Sequence, residues 1–258
     1  MTADRAVEAA LRHDRIVVLA SVLGIAGVAW AYLFWAAAHM PGMDAAMPHA
    51  ATAAMDAGEA AFLARFLMWC VMMVGMMLPS AAPMILMYAT IVRRNRERGT
   101  VLPAAYVFMA GYVIVWTGFS LAAAGAQTGL DRLALLSPMM VSASAPLSTA
   151  ILVAAGIYQW LPIKDSCLRK CRSPLQFLTM RWRPDRGGAL RMGLEHGAVC
   201  VGCCWALMLL LFVGGIMNLL WVAAIAGVVL VEKLLPAGRI SARLAGVGLV
   251  GAGVWTMV

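Results

Sequence analysis

The sequence predicts an all-α integral membrane protein that crosses the bilayer with about seven helices. The 258-residue chain is 63% hydrophobic and 12% charged, whereas a soluble domain is about 45–50% apolar and about 25% charged. Its apolar runs reach the roughly 20 residues that a helix needs to cross the hydrocarbon, and they do not alternate as barrel strands would. This composition excludes a disordered chain and a nucleic-acid-binding domain, and it disfavours a soluble enzyme.

We expect a cytoplasmic segment over residues 1–15 and a single helical membrane domain over 16–258. Its spans are expected at about 16–38, 62–92, 104–127, 139–163, 192–218, 219–235 and 242–258. The last two are short, so six crossings are the alternative. The first span is too long for the apolar part of a cleavable signal peptide and is expected to be an anchor. Pro79 and Pro83 in the second span lack backbone donors, which predicts a kink or break there.

The basic residues predict the orientation. With the N-terminus in the cytoplasm, 18 of the 20 Lys and Arg residues fall inside, and only Arg65 and Arg132 lie outside. This distribution is what the positive-inside rule requires. It makes 39–61 an extracytoplasmic loop rich in His and Met, and 164–191 a cytoplasmic loop rich in Cys and Arg. The formal charge of +8 is then mainly a signal of topology.

Five of the six cysteines fall in two clusters: Cys167 and Cys171 in CLRKC, and Cys200, Cys203 and Cys204 in CVGCC. Offsets of 0, 3 and 4 residues place the second cluster on one helix face, which His196 joins one turn earlier. We expect both clusters at the cytoplasmic membrane face, where thiols stay reduced. Converging thiolates suit Cu(I), Zn(II) or an iron–sulfur centre. The alternative is packing, since free Cys behaves as a small hydrophobe, and we expect this for the isolated Cys70.

The 20 methionines have two interpretations. Thioethers are soft metal ligands, so a stripe on the second span is a candidate pathway: Met72, Met73, Met76 and Met77. The outer loop is a candidate site of copper capture through His39, Met40, Met43, Met47 and His49. The alternatives are core packing for the stripe, because Met is a flexible filler, and a flexible connector for the loop.

Two charged residues, Glu232 and Lys233, lie at the cytoplasmic end of the sixth span. Charge within a span is costly, so we expect Lys233 to extend to the interface and Glu232 to pair with it or with the basic loop. Small residues such as Gly193 and Gly197 predict close helix packing. No nucleotide-binding motif is visible, so any transport is not driven by hydrolysis in this chain.

Several of these segments together resemble a bacterial family of uncharacterised integral membrane proteins that are predicted to bind metal. The segments are MWCVMMVGMMLPSAAP (68–83), GYVIVW (111–116), GIYQWLPIKDSCLRKCRSP (156–174), GLEHGAVCVGCCWALM (193–208) and GGIMNLLWV…EK (214–233). The resemblance covers roughly residues 60–235. It implies a multi-pass protein of the bacterial inner membrane and metal binding at the five clustered cysteines.

The leading hypothesis is a membrane protein that binds a soft metal ion, with copper favoured and zinc or iron–sulfur as alternatives, for transport or delivery. Its expected partners are the lipid bilayer, a metal-receiving protein or further copies of the chain, and an enzymatic activity is not expected. One alternative is a membrane thiol/disulfide redox protein that uses the same cysteines. Another is a structural subunit of a larger membrane complex.

Overall fold

The computed structural model describes residues 2–38, 54–97, 105–136, 142 and 144–257. Regular structure in these ranges is helical apart from an isolated bridge between Leu136 and Ser142. The helices are α1 (Thr2–Ala38), α2 (Ala54–Glu97), α3 (Ala105–Arg132), α4 (Ala145–Tyr158), α5 (Pro162–Arg172), α6 (Pro174–Arg181), α7 (Arg186–Leu209), α8 (Leu211–Gly214), α9 (Leu219–Leu234) and α10 (Gly238–Trp255). The all-α prediction is confirmed for this part of the chain.

Four helical segments are long and apolar enough to cross a membrane: Ile16–Ala38, Gly58–Asn95, Ala105–Arg132 and Arg186–Gly214. A fifth candidate is the pair formed by α4 and α5, which bend by 63° where they join. The last two expected spans correspond to α9 and α10, which have 16 and 18 residues. Length and composition of the described helices thus support four or five crossings, and α9 and α10 are not among these candidates.

Local chemistry explains where several helices begin. The side chains of Ser144, Asp185 and Asn218 each accept a hydrogen bond from the backbone three residues on, at the starts of α4, α7 and α9. These residue types are strongly preferred as N-caps. The predicted span 192–218 is interrupted near its end, because Gly215 has a φ of 94° and turns the chain between α8 and α9. Only glycine adopts that backbone conformation at little cost.

The second helix is continuous through Pro79 and Pro83, so of the expected kink or break, the break is wrong. Neighbouring groups supply hydrogen bonds in this region. The Ser80 hydroxyl donates to the Met77 carbonyl over 2.8 Å, and the Tyr112 hydroxyl on α3 donates to the same carbonyl over 3.0 Å. Proline is tolerated in apolar helices where hydroxyl groups and adjacent helices take over polar backbone contacts.

The core forms where α3 packs against α2 and α7, with α1 on the far side of α2. The crossing of α3 and α7 is close because glycines meet there. A Cβ added at Gly111 would lie 2.3 Å from the Leu190 carbonyl oxygen, and one added at Gly193 would lie 2.0 Å from that of Phe108. The prediction of close packing at Gly193 is therefore confirmed. Small residues let helix backbones approach in this way.

Large apolar side chains cover the outside of the helices. On α1, Ile16, Leu23, Val28, Phe34 and Trp35 are all more than half exposed. Soluble monomers rarely leave contiguous apolar patches larger than a few hundred Å² in contact with water. The surface is thus suited to an apolar surrounding.

The helix crossing gives a first testable prediction. Gly111→Ala should lower stability by about 1–3 kcal/mol, the usual cost of overpacking, because its methyl group would meet the α7 backbone. The measurement is the free energy of unfolding in detergent. Gly118→Ala on the same helix is the matched control, since no atom lies within 4 Å of a Cβ there. Equal stability of the two variants would contradict the close crossing.

Candidate metal centre

Helix α7 carries the cysteine cluster into the core. Cys200, Cys203 and Cys204 are each 1% exposed, and their spacing places them on one side of the helix. The cluster begins five residues after Glu195, which is about 7.5 Å along the helix axis at 1.5 Å per residue. Glu195 forms ion pairs with Arg181, Arg183 and Arg191. Cys200 therefore lies about one and a half helical turns along α7 from a charged layer around Glu195.

Helix α5 brings the first cluster against the second. The Cys171 Sγ lies 3.9 Å from the Cys203 Sγ, and the Cys171 thiol also interacts with that of Cys200. Cys167 packs against Gly202, because a Cβ added there would lie 3.0 Å from its sulfur. The two clusters, separated by 28 residues in sequence, thus meet at the contact between α5 and α7.

A methionine from α2 completes the group of sulfur atoms. The Met77 Sδ lies 3.9 Å from the Cys204 Sγ. Two sulfurs bound to one ion at about 2.3 Å and a tetrahedral angle would be about 3.8 Å apart. Each pair, Cys171 with Cys203 and Cys204 with Met77, is therefore spaced as two sulfur ligands of one ion would be.

Lys233 places a positive charge inside this group. Its Nζ lies 2.8 Å from the Cys200 Sγ and 3.0 Å from the Ser80 Oγ, and the residue is 7% exposed. The Tyr112 hydroxyl lies 3.1 Å from the same sulfur. A buried ammonium requires partners, and a thiolate at Cys200 has the complementary charge.

The thiol groups are not arranged around a common point. The thiols of Cys203 and Cys204 donate to the Cys200 carbonyl oxygen over 3.1 and 3.0 Å. Within the described ranges, no three Cys, His, Asp or Glu side chains are positioned to hold an ion without rearrangement. The sulfurs are therefore close together but point partly along the helix, and side-chain rotation would be needed to direct them at one ion.

His196 lies one turn before Cys200, as the sequence indicates, and is 3% exposed. Its ring packs against Phe108, Tyr112 and Phe177, with centroid separations of 6.0, 5.6 and 5.6 Å. The Nδ1 atom is buried without a hydrogen-bond partner. The imidazole is thus held among aromatic rings beside the cluster.

The other sequence-based candidates differ in position. Met72, Met73 and Met76 are buried in the core along α2, each at most 1% exposed. Cys70 lies away from the clusters, beside the hydroxyl groups of Thr117 and Ser120. The outer-loop candidates all lie outside the described residues. They are His39, Met40, Met43, Met47 and His49.

A buried ion pair lies beside the cluster. The Lys164 Nζ is 2.7 Å from the Glu232 Oε2, and the side chains are 1% and 2% exposed. The Lys164 ammonium also donates to the Gln159 side-chain oxygen. Glu232 thus pairs with the basic segment 164–191, one of the two expected arrangements. The pair joins α5, which carries Cys171, to α9, which carries Lys233.

Three residues of the site were not identified from sequence: Lys233 as an inward-facing group, Tyr112 and Ser80. The expectation that Lys233 extends to the interface is wrong, because its ammonium turns into the cluster. A signal was present, since charge in an apolar helix is costly unless it is paired or functional. Tyr112 and Ser80 gave no signal beyond their places in GYVIVW and MLPSAAP.

The buried pair gives a second prediction. Lys164→Met should destabilise the protein by about 3–5 kcal/mol, because Glu232 would be left as an uncompensated buried charge. The double variant Lys164→Met with Glu232→Leu should recover most of the loss, since neither charge remains. Unfolding in detergent measures both. A double variant no more stable than the single one would contradict this account.

Comparison with known proteins adds a finding to this geometry. The model of the PpoB2 family, described as a copper chaperone, matches residues 66–256. No curated protein and no solved structure matches the chain. The matched region contains both cysteine clusters, Met77 and Lys233. Because the match covers well over half of the sequence, the protein belongs to the PpoB2 copper chaperone family.

Proposed function

We propose that this protein is a membrane-embedded chaperone that binds Cu(I) as cargo at the thiol cluster and passes it to a receiving protein. The observation that carries the proposal is the meeting of cysteines from α5 and α7 with the Met77 sulfur and the Lys233 ammonium. Membership in the copper chaperone family indicates copper as the metal. The thiols and the thioether of the cluster are ligands that suit copper.

The ligand set favours Cu(I) over the alternatives of zinc and an iron–sulfur centre. Thiolates and thioethers are soft ligands that select Cu(I), and a thioether such as that of Met77 adds little for zinc, which prefers Cys, His and carboxylate ligands. Cys171, Cys200, Cys203 and Cys204 are the proposed principal ligands, and two of them at a time bind the ion as thiolates. Cys167 and His196 lie beside them and are proposed as additional ligands.

Charge balance supports the same assignment. Cu(I) held by two thiolates has a net charge of −1, and the Lys233 ammonium makes the buried assembly neutral. Burying a net charge in an apolar interior is expensive, so a neutral assembly is the favoured one. Rotation of the Cys203 and Cys204 side chains away from the Cys200 carbonyl would direct their sulfurs at the ion.

The same proposal includes the bacterial inner membrane as the site of the protein. Four or five apolar helices and exposed side chains such as Leu23 and Phe34 support insertion in lipid. In this proposal the N-terminus is cytoplasmic, which the positive-inside rule favours, and the chain crosses about seven times if α9 and α10 also span. The charged layer around Glu195 then faces the cytoplasm, and the thiol cluster lies just beneath it.

The methionines extend the proposal toward the other side of the membrane. Met72, Met73 and Met76 follow α2 away from Met77, at spacings that keep them near one side of the helix. We propose them as weak sites that a Cu(I) ion occupies in turn. Capture by the outer loop, which contains His39, Met40, Met43, Met47 and His49, would begin this path.

The contact between Cys171 and Cys203 supports a second candidate function, a thiol/disulfide redox protein. Their sulfurs are 3.9 Å apart, and a disulfide requires about 2.05 Å, which a modest side-chain movement would provide. Free-thiol counts before and after reduction distinguish the two functions. Copper binding with all thiols free supports the chaperone, whereas a loss of two thiols on mild oxidation without bound copper supports the redox protein.

The ligand assignment gives a third prediction. Loss of a residue that only supports a metal ligand weakens metal binding by about 10–100-fold. Cys203→Ser should weaken Cu(I) binding by more than this, because a hydroxyl replaces a soft thiolate ligand. Competition with a chromophoric Cu(I) chelator, under reducing conditions, measures the affinity. Cys70→Ser is the matched control and should bind as the unmodified protein does. An unchanged affinity in Cys203→Ser would refute the assignment.

Charge balance gives a fourth prediction. Lys233→Met should weaken Cu(I) binding by about 10–100-fold, since a charge-assisted contact contributes about 1.5–3 kcal/mol. The competition assay measures this, and unfolding in detergent verifies that the variant is folded. Tighter Cu(I) binding by Lys233→Met would show that the ammonium opposes the ion instead of balancing its thiolates.

A further inference from the structure

A basic cleft lies between α5, α6, the segment that follows α6, and Glu195 on α7. Its volume is about 920 Å³, and its lining includes Arg169, Lys170, Phe177, Arg181, Arg183 and Glu195. Sites for small molecules are concave and have volumes of about 300–1,000 Å³, whereas a protein partner requires a broad surface of about 800 Å² on each side. The size and shape of the cleft therefore fit a small molecule better than a protein.

The charge of the cleft indicates an anionic occupant. Four basic side chains line it against one carboxylate, Glu195. That carboxylate is already paired with arginines, at 2.5 Å to Arg181 and 3.3 Å to Arg191. Arg169 donates to the Ser166 hydroxyl, and among the described residues neither Arg169 nor Lys170 forms an ion pair. These two cations are available to a ligand.

The cleft is next to the thiols. Phe177 lines it and also packs against His196, with ring centroids 5.6 Å apart, one turn before Cys200. On the other wall, Lys170 directly precedes Cys171, whose sulfur lies 3.9 Å from that of Cys203. A ligand held by Arg169 and Lys170 would therefore lie within one helical turn of Cys171, a partly buried thiol of the cluster.

We propose that this cleft receives a small anionic thiol that carries Cu(I), and that the ion moves from the carrier sulfur to Cys171. The inference rests on the proposed function and names the source of its cargo. Carboxylates of the carrier pair with Arg169 and Lys170, as arginine and lysine pair with anions elsewhere. Its thiolate suits Cu(I), which prefers soft ligands.

The transfer is a ligand exchange without a change of oxidation state. A bond forms between Cu(I) and the Cys171 sulfur as the bond between Cu(I) and one carrier sulfur breaks. The proton released from the Cys171 thiol passes to the departing carrier sulfur. Exchange with Cys203 and Cys200 then moves the ion inward, each step replacing one sulfur by another.

The test compares two copper donors on the full chain in nanodiscs of neutral phosphatidylcholine. One donor is Cu(I) bound to glutathione, an anionic thiol, and the other is the cationic Cu(I)–acetonitrile complex. The variant is Arg169→Gln with Lys170→Gln, both exposed side chains. We expect its loading from glutathione to slow by about 10–100-fold, a range typical of lost electrostatic steering, and its loading from acetonitrile not to slow. Arg243→Gln, outside the cleft, is the matched control and should load normally.

A second measurement does not depend on copper. Calorimetric titration with S-methylglutathione, which has the carboxylates but cannot bind Cu(I) as a thiolate, should show binding that the double variant loses. Equal loading of variant and control from glutathione overturns the inference while leaving the chaperone function intact. Failure to bind Cu(I) from either donor overturns the proposed function. Two results together would assign the cleft to a lipid headgroup and overturn the inference as well. The first is that S-methylglutathione does not bind in neutral nanodiscs. The second is that anionic phosphatidylglycerol slows loading from glutathione in the control but not in the double variant.

Discussion

The buried contact between the Lys233 ammonium and the Cys200 sulfur organises the centre of this molecule. An ammonium in an apolar interior must be met by polar partners, and those partners come from several helices. Ser80 lies on α2, Cys200 on α7, and Tyr112 on α3 reaches the same sulfur. The charge at the end of α9 therefore requires three other helices to take fixed positions around it, and two of them, α2 and α7, also carry sulfur ligands.

The soft ligands and the charge have complementary roles in the proposed chemistry. Sulfur atoms alone would suit several metals, and accumulated thiolates would leave a large negative charge in the apolar interior of the protein. Together with a monovalent ion, the single ammonium of Lys233 neutralises the charge of two thiolates but not of more. The ion pair of Lys164 with Glu232 is separate from this balance, since its charges cancel each other.

Composition and periodicity could predict the class of fold and part of the site. The apolar runs predicted the helices, and the spacing of Cys200, Cys203 and Cys204 placed them on one face. Both cysteine clusters were expected at one face, but the specific contact of the Cys171 sulfur with that of Cys203 could not be predicted, because it depends on the bend between α4 and α5. Pro162 marks that bend, since the residue before proline disfavours the helical conformation. The inward direction of Lys233 and the continuity of α2 through its prolines both depend on neighbours that sequence spacing does not specify.

The glycine crossing of α3 and α7 has a mechanical consequence for the thiols. Backbone meets backbone at Gly111 and Gly193, so α7 is in rigid contact with α3 and has no side chains there that could yield. Three of the four principal thiols lie on α7, whereas Cys171 lies on a short helix bounded by the bend at 159–161 and by Ser173. The position of Cys171 relative to the other three thiols therefore depends on the packing of α5 against α7 and on the buried pair of Lys164 with Glu232, and not on the glycine crossing.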